Sequence, residues 1–331
     1  MIIEERAYAR AGLLGNPSDG YFGKTISVIV RNFGAHVMLW ESPELRIEAH
    51  DNDTNEYKSL HHFAEVINQT GHYGGIRLIK AAIKTFYDYC MENQIPLVNK
   101  NFTIRYDTTI PRQVGLAGSS AIVTATFRAL LKFYDVSVPL EILPNLILSA
   151  ETKELGIQAG LQDRVIQVYE GCVYMDFDKA HMESKGYGKY ERLDPQLLPK
   201  LYIAYKTELS KVSGVSHSTL RIRYEAGEPL VIETLARIAQ IAEEGKVALL
   251  NRDEEKLFAL MNENFDQRCK IMNISESNME MIRTARQCGA SAKFCGSGGA
   301  IIGIYKDDAM LKQLVTQLQA LKAKVILPIV T

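Results

Sequence analysis

A glycine-rich stretch, Pro111-Arg112-Gln113-Val114-Gly115-Leu116-Ala117-Gly118-Ser119-Ser120-Ala121, constrains this chain more than any other. It follows an alternating segment, Phe102 to Thr108, with the period of a β-strand, and enters an apolar run, Ala121 to Phe133, with the period of a helix. A glycine-rich turn that opens a helix gathers backbone N–H groups at one point, where the helix dipole favours negative charge. Gly115 and Gly118 permit backbone twists and a close ligand approach that a side chain would block. The hydroxyls of Ser119 and Ser120 stand where they can cap the helix, meet phosphate oxygens or reach a metal. The stretch has neither the Gly-Lys-Ser/Thr ending of a Walker loop nor the GxGxxG spacing of a dinucleotide site. Taken alone, such a turn is more often a plain helix cap than a ligand cradle.

The bulk of the chain narrows what the stretch can serve. With 331 residues and 47% hydrophobic content the chain can bury a full core, in two domains or one large one. A formal charge of -1 supplies no basic field, which argues against nucleic acid and anionic membranes as partners and leaves a small-molecule substrate. Five cysteines are scattered without metal-ligand spacing, as expected of a cytoplasmic protein in a reducing compartment. No apolar run approaches the length of a membrane span, and Glu4, Glu5, Arg6 and Arg10 interrupt the N-terminus.

In chain order, residues 1 to 14 read as a strand entering Gly15-Asn16-Pro17-Ser18-Asp19-Gly20, strong turn chemistry. Thr25 to Val30, Ala35 to Trp40 and Leu45 to Ala49 read as three strands, the first two joined by Arg31-Asn32-Phe33-Gly34, an antiparallel meander. Asp51 to Gly71, with His61 and His62, reads as a polar insertion, and Gly75 to Met91 as a one-sided helix. Two helical stretches between Pro139 and Val168 break near Gly156 to Gly160, with Glu151 before the break and Asp163 after it. Acidic residues in helices usually face solvent, but Asp163 stands among Gly160, Leu161 and Val165. The charged stretch Asp178 to Lys200 is the expected domain boundary. Lys211 to Thr219 reads as a polar loop before a run of helices. A second glycine cluster, Gly296-Ser297-Gly298-Gly299, separates two strands and on spacing alone reads as a hairpin turn.

Five of these stretches together carry a resemblance. Pro111 to Ala121 is similar to the signature of the GHMP kinases, the galactokinase, homoserine, mevalonate and phosphomevalonate kinase superfamily. It looks most like the glucuronokinase branch, whose members phosphorylate D-glucuronate at the anomeric oxygen. The likeness continues in Gly15 to Gly20, Gly74 to Leu78, Gly160 to Val165 and Ala292 to Ala300, nearly the whole chain. It implies an α+β, two-domain fold: a ribosomal S5 domain 2-like N-terminal domain over 1–190 carrying the phosphate loop, and a ferredoxin-like C-terminal domain over 191–331. Gly15-Asn16-Pro17 departs from the Gly-Glu-His usual in the superfamily and leaves Asn16 without an implied role.

The resemblance also implies roles. Gly115, Leu116, Ala117, Gly118, Ser119 and Ser120 would hold the triphosphate of ATP, and Ser120 with Glu151 would hold Mg2+. Asp163 would orient the sugar hydroxyl and take its proton, with Arg10 as its positive counterpart, and Asp19 would hydrogen-bond ring hydroxyls. Gly296, Ser297 and Gly298 would close on the substrate from the other domain. A sugar acid also needs a cation for its carboxylate, best a guanidinium. Arg31, Arg112 and Arg164 lie in motif-bearing stretches; Arg164, next to Asp163, is the first choice. The rival readings are another sugar 1-kinase of the superfamily, acting on galactose or galacturonate, and a non-catalytic sugar and nucleotide sensor.

Overall fold

The computed structural model describes residues 2–49, 53, 59, 60, 74–206 and 214–331, with backbone only for 214–218. The polar insertion expected over 51–71, its histidines included, and the loop expected from residue 211 thus lie largely outside the described residues.

Two long strands build the first sheet. β1 (Ile2–Leu14) runs antiparallel to β2 (Lys24–Ser42), from Ile2 opposite Trp40 to Leu14 opposite Ile26. The meander expected over residues 25–40 is therefore one continuous strand. Arg31 to Phe33 form a bulge, not a hairpin turn, because the partner of β1 jumps from Gly34 to Val30 between Tyr8 and Ala9. The C-terminal tail crosses that bulge: Arg31 N donates to Ile329 O at 2.8 Å, and Asn32 Nδ2 to Leu327 O at 3.0 Å. Short β3 (Arg46–Ile47) pairs with β4 (Asn101–Thr108), β4 with β2, β2 with β5 (Cys172–Asp176), and β5 with β6 (Lys189–Leu193). Four helices form a layer over this sheet, α2 (Gly118–Tyr134) and α4 (Gln162–Tyr169) against its strands and α1 (Gly75–Glu92) and α3 (Leu143–Thr152) against those helices. Their inward faces, such as Leu78, Ile79 and Phe86 of α1, meet Val28, Val37 and Ile104 in one core.

β6 moves the domain boundary. A break at 190/191 would fall inside this strand of the first sheet, so the topological break comes after Leu193, following the short helix α5 (Lys179–Lys185) and β6 itself. The second sheet has the order β10 (Lys324–Ile326), β7 (Leu201–Tyr205), β9 (Ala300–Ile304), β8 (Lys293–Phe294), every described neighbour antiparallel. With α10 (Asp308–Ala320) crossing between β9 and β10, this is the ferredoxin-like arrangement. Four helices precede β8: α6 (Gly214–Glu225), α7 (Pro229–Leu250), α8 (Glu254–Ile271) and α9 (Glu276–Gln287). The halves share a core: Leu14 and Ile26 of the first sheet cluster with Ile241 and Ala242 of α7 and with Cys295 and Ala300. No described helix is long and apolar enough to cross a membrane.

Candidate active site

The phosphate loop lies between β4 and α2. Gly115 has φ +72, and Ala117, the residue before the helix, also takes the left-handed conformation at φ +61. The Ala117 carbonyl accepts three bonds: from Ala121 N at 3.2 Å, Ser120 Oγ at 3.1 Å and Gln167 Nε2 at 2.9 Å. Gln167 of α4 is fully buried and also donates to Tyr8 O at 3.1 Å, so it fastens the loop to β1. By giving its proton to Ala117, the Ser120 hydroxyl keeps its lone pairs for a cation.

Arg10, in the middle of β1 and 6% exposed, joins the elements of the site. Its Nε donates to Asp163 Oδ1 at 2.7 Å, and its Nη1 donates to Gly115 O at 2.6 Å and Cys295 O at 3.3 Å. One guanidinium therefore holds the acid, the phosphate loop and the strand end before the second glycine cluster. Asp163 stands in the first turn of α4, where the helix dipole favours its charge. Asp19 lies in a single 3-10 turn, Ser18–Tyr21, with its carboxylate packed on Gly160, where a side chain would collide with it. Burial and then Asp163 push the Asp19 carboxyl up to about 6, against a Gln162 backbone hydrogen bond, Arg10 and Arg164. Two carboxylates thus share one side of the site, one bonded to Arg10 and one whose carboxyl burial raises.

Behind them lies an ion pair. Arg164 and Glu151 are 4% and 1% exposed; Arg164 Nε donates to Glu151 Oε2 at 2.9 Å, Nη2 donates to the same oxygen, and Nη1 donates to Gly160 O at 2.9 Å. Burial raises the Glu151 carboxyl despite its partner. The guanidinium expected to meet a substrate carboxylate is thus buried against Glu151 and Gly160 O, with Asp163 Oδ2 3.7 Å from Nη1. Arg31 is likewise committed, to Glu170 Oε2 at 2.5 Å, and stacks on Tyr8. Both bonds to Glu151 end on Oε2, so Oε1 is used by neither. Oε1 and the Ser120 hydroxyl are oxygen donors of the kind magnesium takes, and the described residues contain no larger acidic cluster. Magnesium binds through few protein oxygens plus phosphates and water, so this donor set fits it.

The second glycine cluster faces the first. A Cβ on Gly115 would lie 2.7 Å from Gly298 O, 3.1 Å from Ser297 N and 3.3 Å from Gly298 N; one on Gly296 would strike Gly115 O and come within 2.8 Å of Arg10 Nη2. The hairpin reading is thus too modest: the two clusters pack backbone to backbone. Under the second cluster sit two buried cations. Arg268 of α8 donates from Nη1 to Gly296 O at 2.8 Å and from Nη2 to Ser297 O at 3.4 Å, and its guanidinium carbon is 5.1 Å from the centre of the Phe294 ring. Burial lowers its pKa to about 10. Lys293 Nζ donates to Gly12 O and Asn16 Oδ1 at 2.6 Å and to Phe294 O at 2.7 Å; burial, with Arg268 and Arg10 nearby, pushes it well below its ordinary value. Asn16 thereby acquires its role, and Asn264 holds the same turn through Gly15 N at 2.7 Å and Asn16 O at 3.1 Å.

Sequence reasoning missed Arg268, Asn264 and Gln167. The signal for the first two was available: in α8, Leu257, Leu260, Met261, Phe265 and Ile271 mark the buried face, and Asn264 and Arg268 fall in phase with it. A polar residue at a core phase needs a partner, and these two find theirs in the glycine turns.

Comparison with known proteins accords with this geometry. The GHMP kinases N terminal domain matches residues 77–171, and GHMP kinases C terminal matches residues 246–324. Over 98% of its length the chain superimposes on 98% of the Streptococcus pneumoniae phosphomevalonate kinase in complex with phosphomevalonate and AMPPNP, with a TM-score of 0.74 at 16% identity, a likeness of fold. Fold, paired loops and matched domains define a GHMP kinase. The chain is also 48% identical over 306 residues to Glucuronokinase 1 of Arabidopsis thaliana and 50% identical over 308 residues to Probable glucuronokinase 2 of the same plant, in each case 91% of this chain and 84% of the relative. It belongs to the glucuronokinase family.

Proposed function

We propose that the protein transfers the γ-phosphoryl group of ATP to the anomeric oxygen of D-glucuronate, releasing ADP and D-glucuronate 1-phosphate. Kinship with the glucuronokinases supports the substrate. The observation that carries the chemistry is the Arg10 guanidinium, bonded at once to Asp163, Gly115 O and Cys295 O. Phosphoryl transfer asks a protein mainly to position the reactants and balance charge around the γ-phosphate. Asp163 accepts the proton of the anomeric hydroxyl, and Arg10 holds that acid in place. An anomeric hydroxyl is more acidic than an ordinary alcohol, so a carboxylate is an adequate base. Asp19, on the same side, orients ring hydroxyls. The amides of Gly115 to Ser120 cradle the triphosphate. Ser120 and Glu151 would hold magnesium, which when bound neutralises phosphate charge.

The test is an ADP-release assay on a panel of D-glucuronate, D-galacturonate, D-glucose and D-galactose, repeated with Asp163→Asn. Turnover is expected on glucuronate above the others, and the variant is expected to lose at least about 100-fold in kcat while still binding ATP. Better turnover of the neutral hexoses would refute the substrate, and full turnover by the variant would remove Asp163 as the base.

A further inference from the structure

We propose that Arg221, on α6, receives the carboxylate of the sugar acid. The inference rests on the glucuronate reading and supplies what that reading lacks once Arg164 is committed to Glu151. A uronate differs from a hexose at C6, which is carried by C5 on the other side of the ring oxygen from the anomeric carbon. Its carboxylate calls for a cation beside the sugar, on the side where Asp19 stands. Of the other cations near the site, Arg10 is engaged with Asp163, Arg164 with Glu151, and Arg268 and Lys293 with carbonyls under the second cluster, while exposed Arg112 acts on Tyr106 of β4. Arg31 lies at the bulge of β2, bound to Glu170.

Arg221 is placed differently. Its Nη2 donates to Gly20 O at 3.0 Å, and Gly20 follows Asp19 in the 3-10 turn that faces Asp163. Its guanidinium carbon stands 5.3 Å from the centre of the Tyr21 ring, the next residue of that turn. The Tyr21 phenol feels both Arg221 and Asp19, so the charged head and the ring-binding acid flank the same side chain. One bond to a carbonyl and one ring contact engage the guanidinium and, among the described residues, leave most of its five N–H donors without a hydrogen bond. Its remaining partner is loose: Glu225 Oε1 lies 3.6 Å from Nη1, beyond hydrogen-bond reach, with side chains 49% and 63% exposed. A surface pair of this kind contributes little, so a ligand carboxylate bound two-point to the planar fork can displace it.

The experiment compares D-glucuronate with its neutral carboxamide, D-glucuronamide, by ADP release in the wild-type protein, Arg221→Gln and Arg221→Lys. The wild-type preference in kcat/KM for acid over amide is expected to fall about 10- to 100-fold in Arg221→Gln, mostly through KM for the acid, and to be partly restored in Arg221→Lys. An unchanged preference in Arg221→Gln overturns the assignment. So does an equal loss on both substrates, because Arg221 would then serve only to hold the Gly20 turn. A wild-type protein that phosphorylates neutral hexoses better than glucuronate overturns the underlying reading instead.

Discussion

Two glycines of the phosphate loop, three residues apart, are under opposite constraints, and exchanging each for alanine tests whether the two clusters act as one site. At Gly118, the first residue of α2, an added Cβ would find Ile110 Cγ2 at 3.4 Å and nothing nearer, in a helical backbone that favours alanine. Gly118→Ala is therefore expected to change stability by between 0 and a gain of about 1 kcal/mol. At Gly115 the backbone is left-handed, φ +72, which costs a non-glycine residue about 1–2 kcal/mol. The new methyl would also meet the Gly298 carbonyl at 2.7 Å, and relieving such an overlap costs about 1–3 kcal/mol. The two add to roughly 2–5 kcal/mol for Gly115→Ala if the loops hold their places. If they part to relieve the clash, stability recovers but the reacting groups move, and a misplacement of about 1 Å costs on the order of 100-fold in rate. Urea unfolding and the kcat/KM for ATP, measured together, read both routes. A Gly115→Ala protein within about 0.5 kcal/mol of the wild type, with unchanged kcat/KM, would refute the backbone-to-backbone packing.

Asp19 should leave a signature in the pH dependence of stability. Its carboxyl is raised from 3.8 to about 6, so the folded state binds more protons than the unfolded state between pH 4 and 6, and wild-type stability falls as pH rises through that window. Asp19→Asn removes this fall: relative to the wild type the variant should gain on the order of 1–3 kcal/mol between pH 4 and 7 in urea unfolding, and parallel curves would disprove the shift. Arg164→Met leaves Glu151 buried without its cation and should cost about 3–5 kcal/mol, whereas Arg164→Met with Glu151→Leu should cost much less than the two single changes combined. Additive losses in that cycle, measured by denaturant unfolding, would mean the two side chains do not act as a pair.

How far the sequence carries the reader depends on whether a residue's role is local. The glycine-rich turn from β4 into α2 was legible because strand, glycines, hydroxyls and helix follow one another within twenty residues, and the backbone there depends on little else. Helices such as α1 and α8 were legible by their apolar period. The bulge in β2 was not: Arg31-Asn32-Phe33-Gly34 has the composition of a turn, and only its pairing with β1 and the tail at Leu327 and Ile329 shows that the strand runs on. Arg164 misled for a related reason. Beside Asp163 in the chain it suggests a substrate contact, but its hydrogen bonds go to Glu151, with Asp163 Oδ2 only 3.7 Å away, and no rule of neighbouring position reveals which carboxylate a guanidinium will choose.

Arg268 shows how such long-range choices complete the site. It is fully buried, and among the described residues it faces carbonyls and not a carboxylate. A charge in that position is costly, yet its pKa of about 10 leaves it protonated at neutral pH. A trans peptide points its N–H opposite to its C=O, so a guanidinium drawing the carbonyls of Gly296 and Ser297 to one side turns the N–H groups of Ser297 and Gly298 to the other. Those two nitrogens are the ones that approach Gly115. Arg268 therefore sets the orientation of the second cluster's peptides, holding their carbonyls on its own side and their N–H groups toward the first cluster, so that the packing of the two loops depends on a residue far from both in the chain.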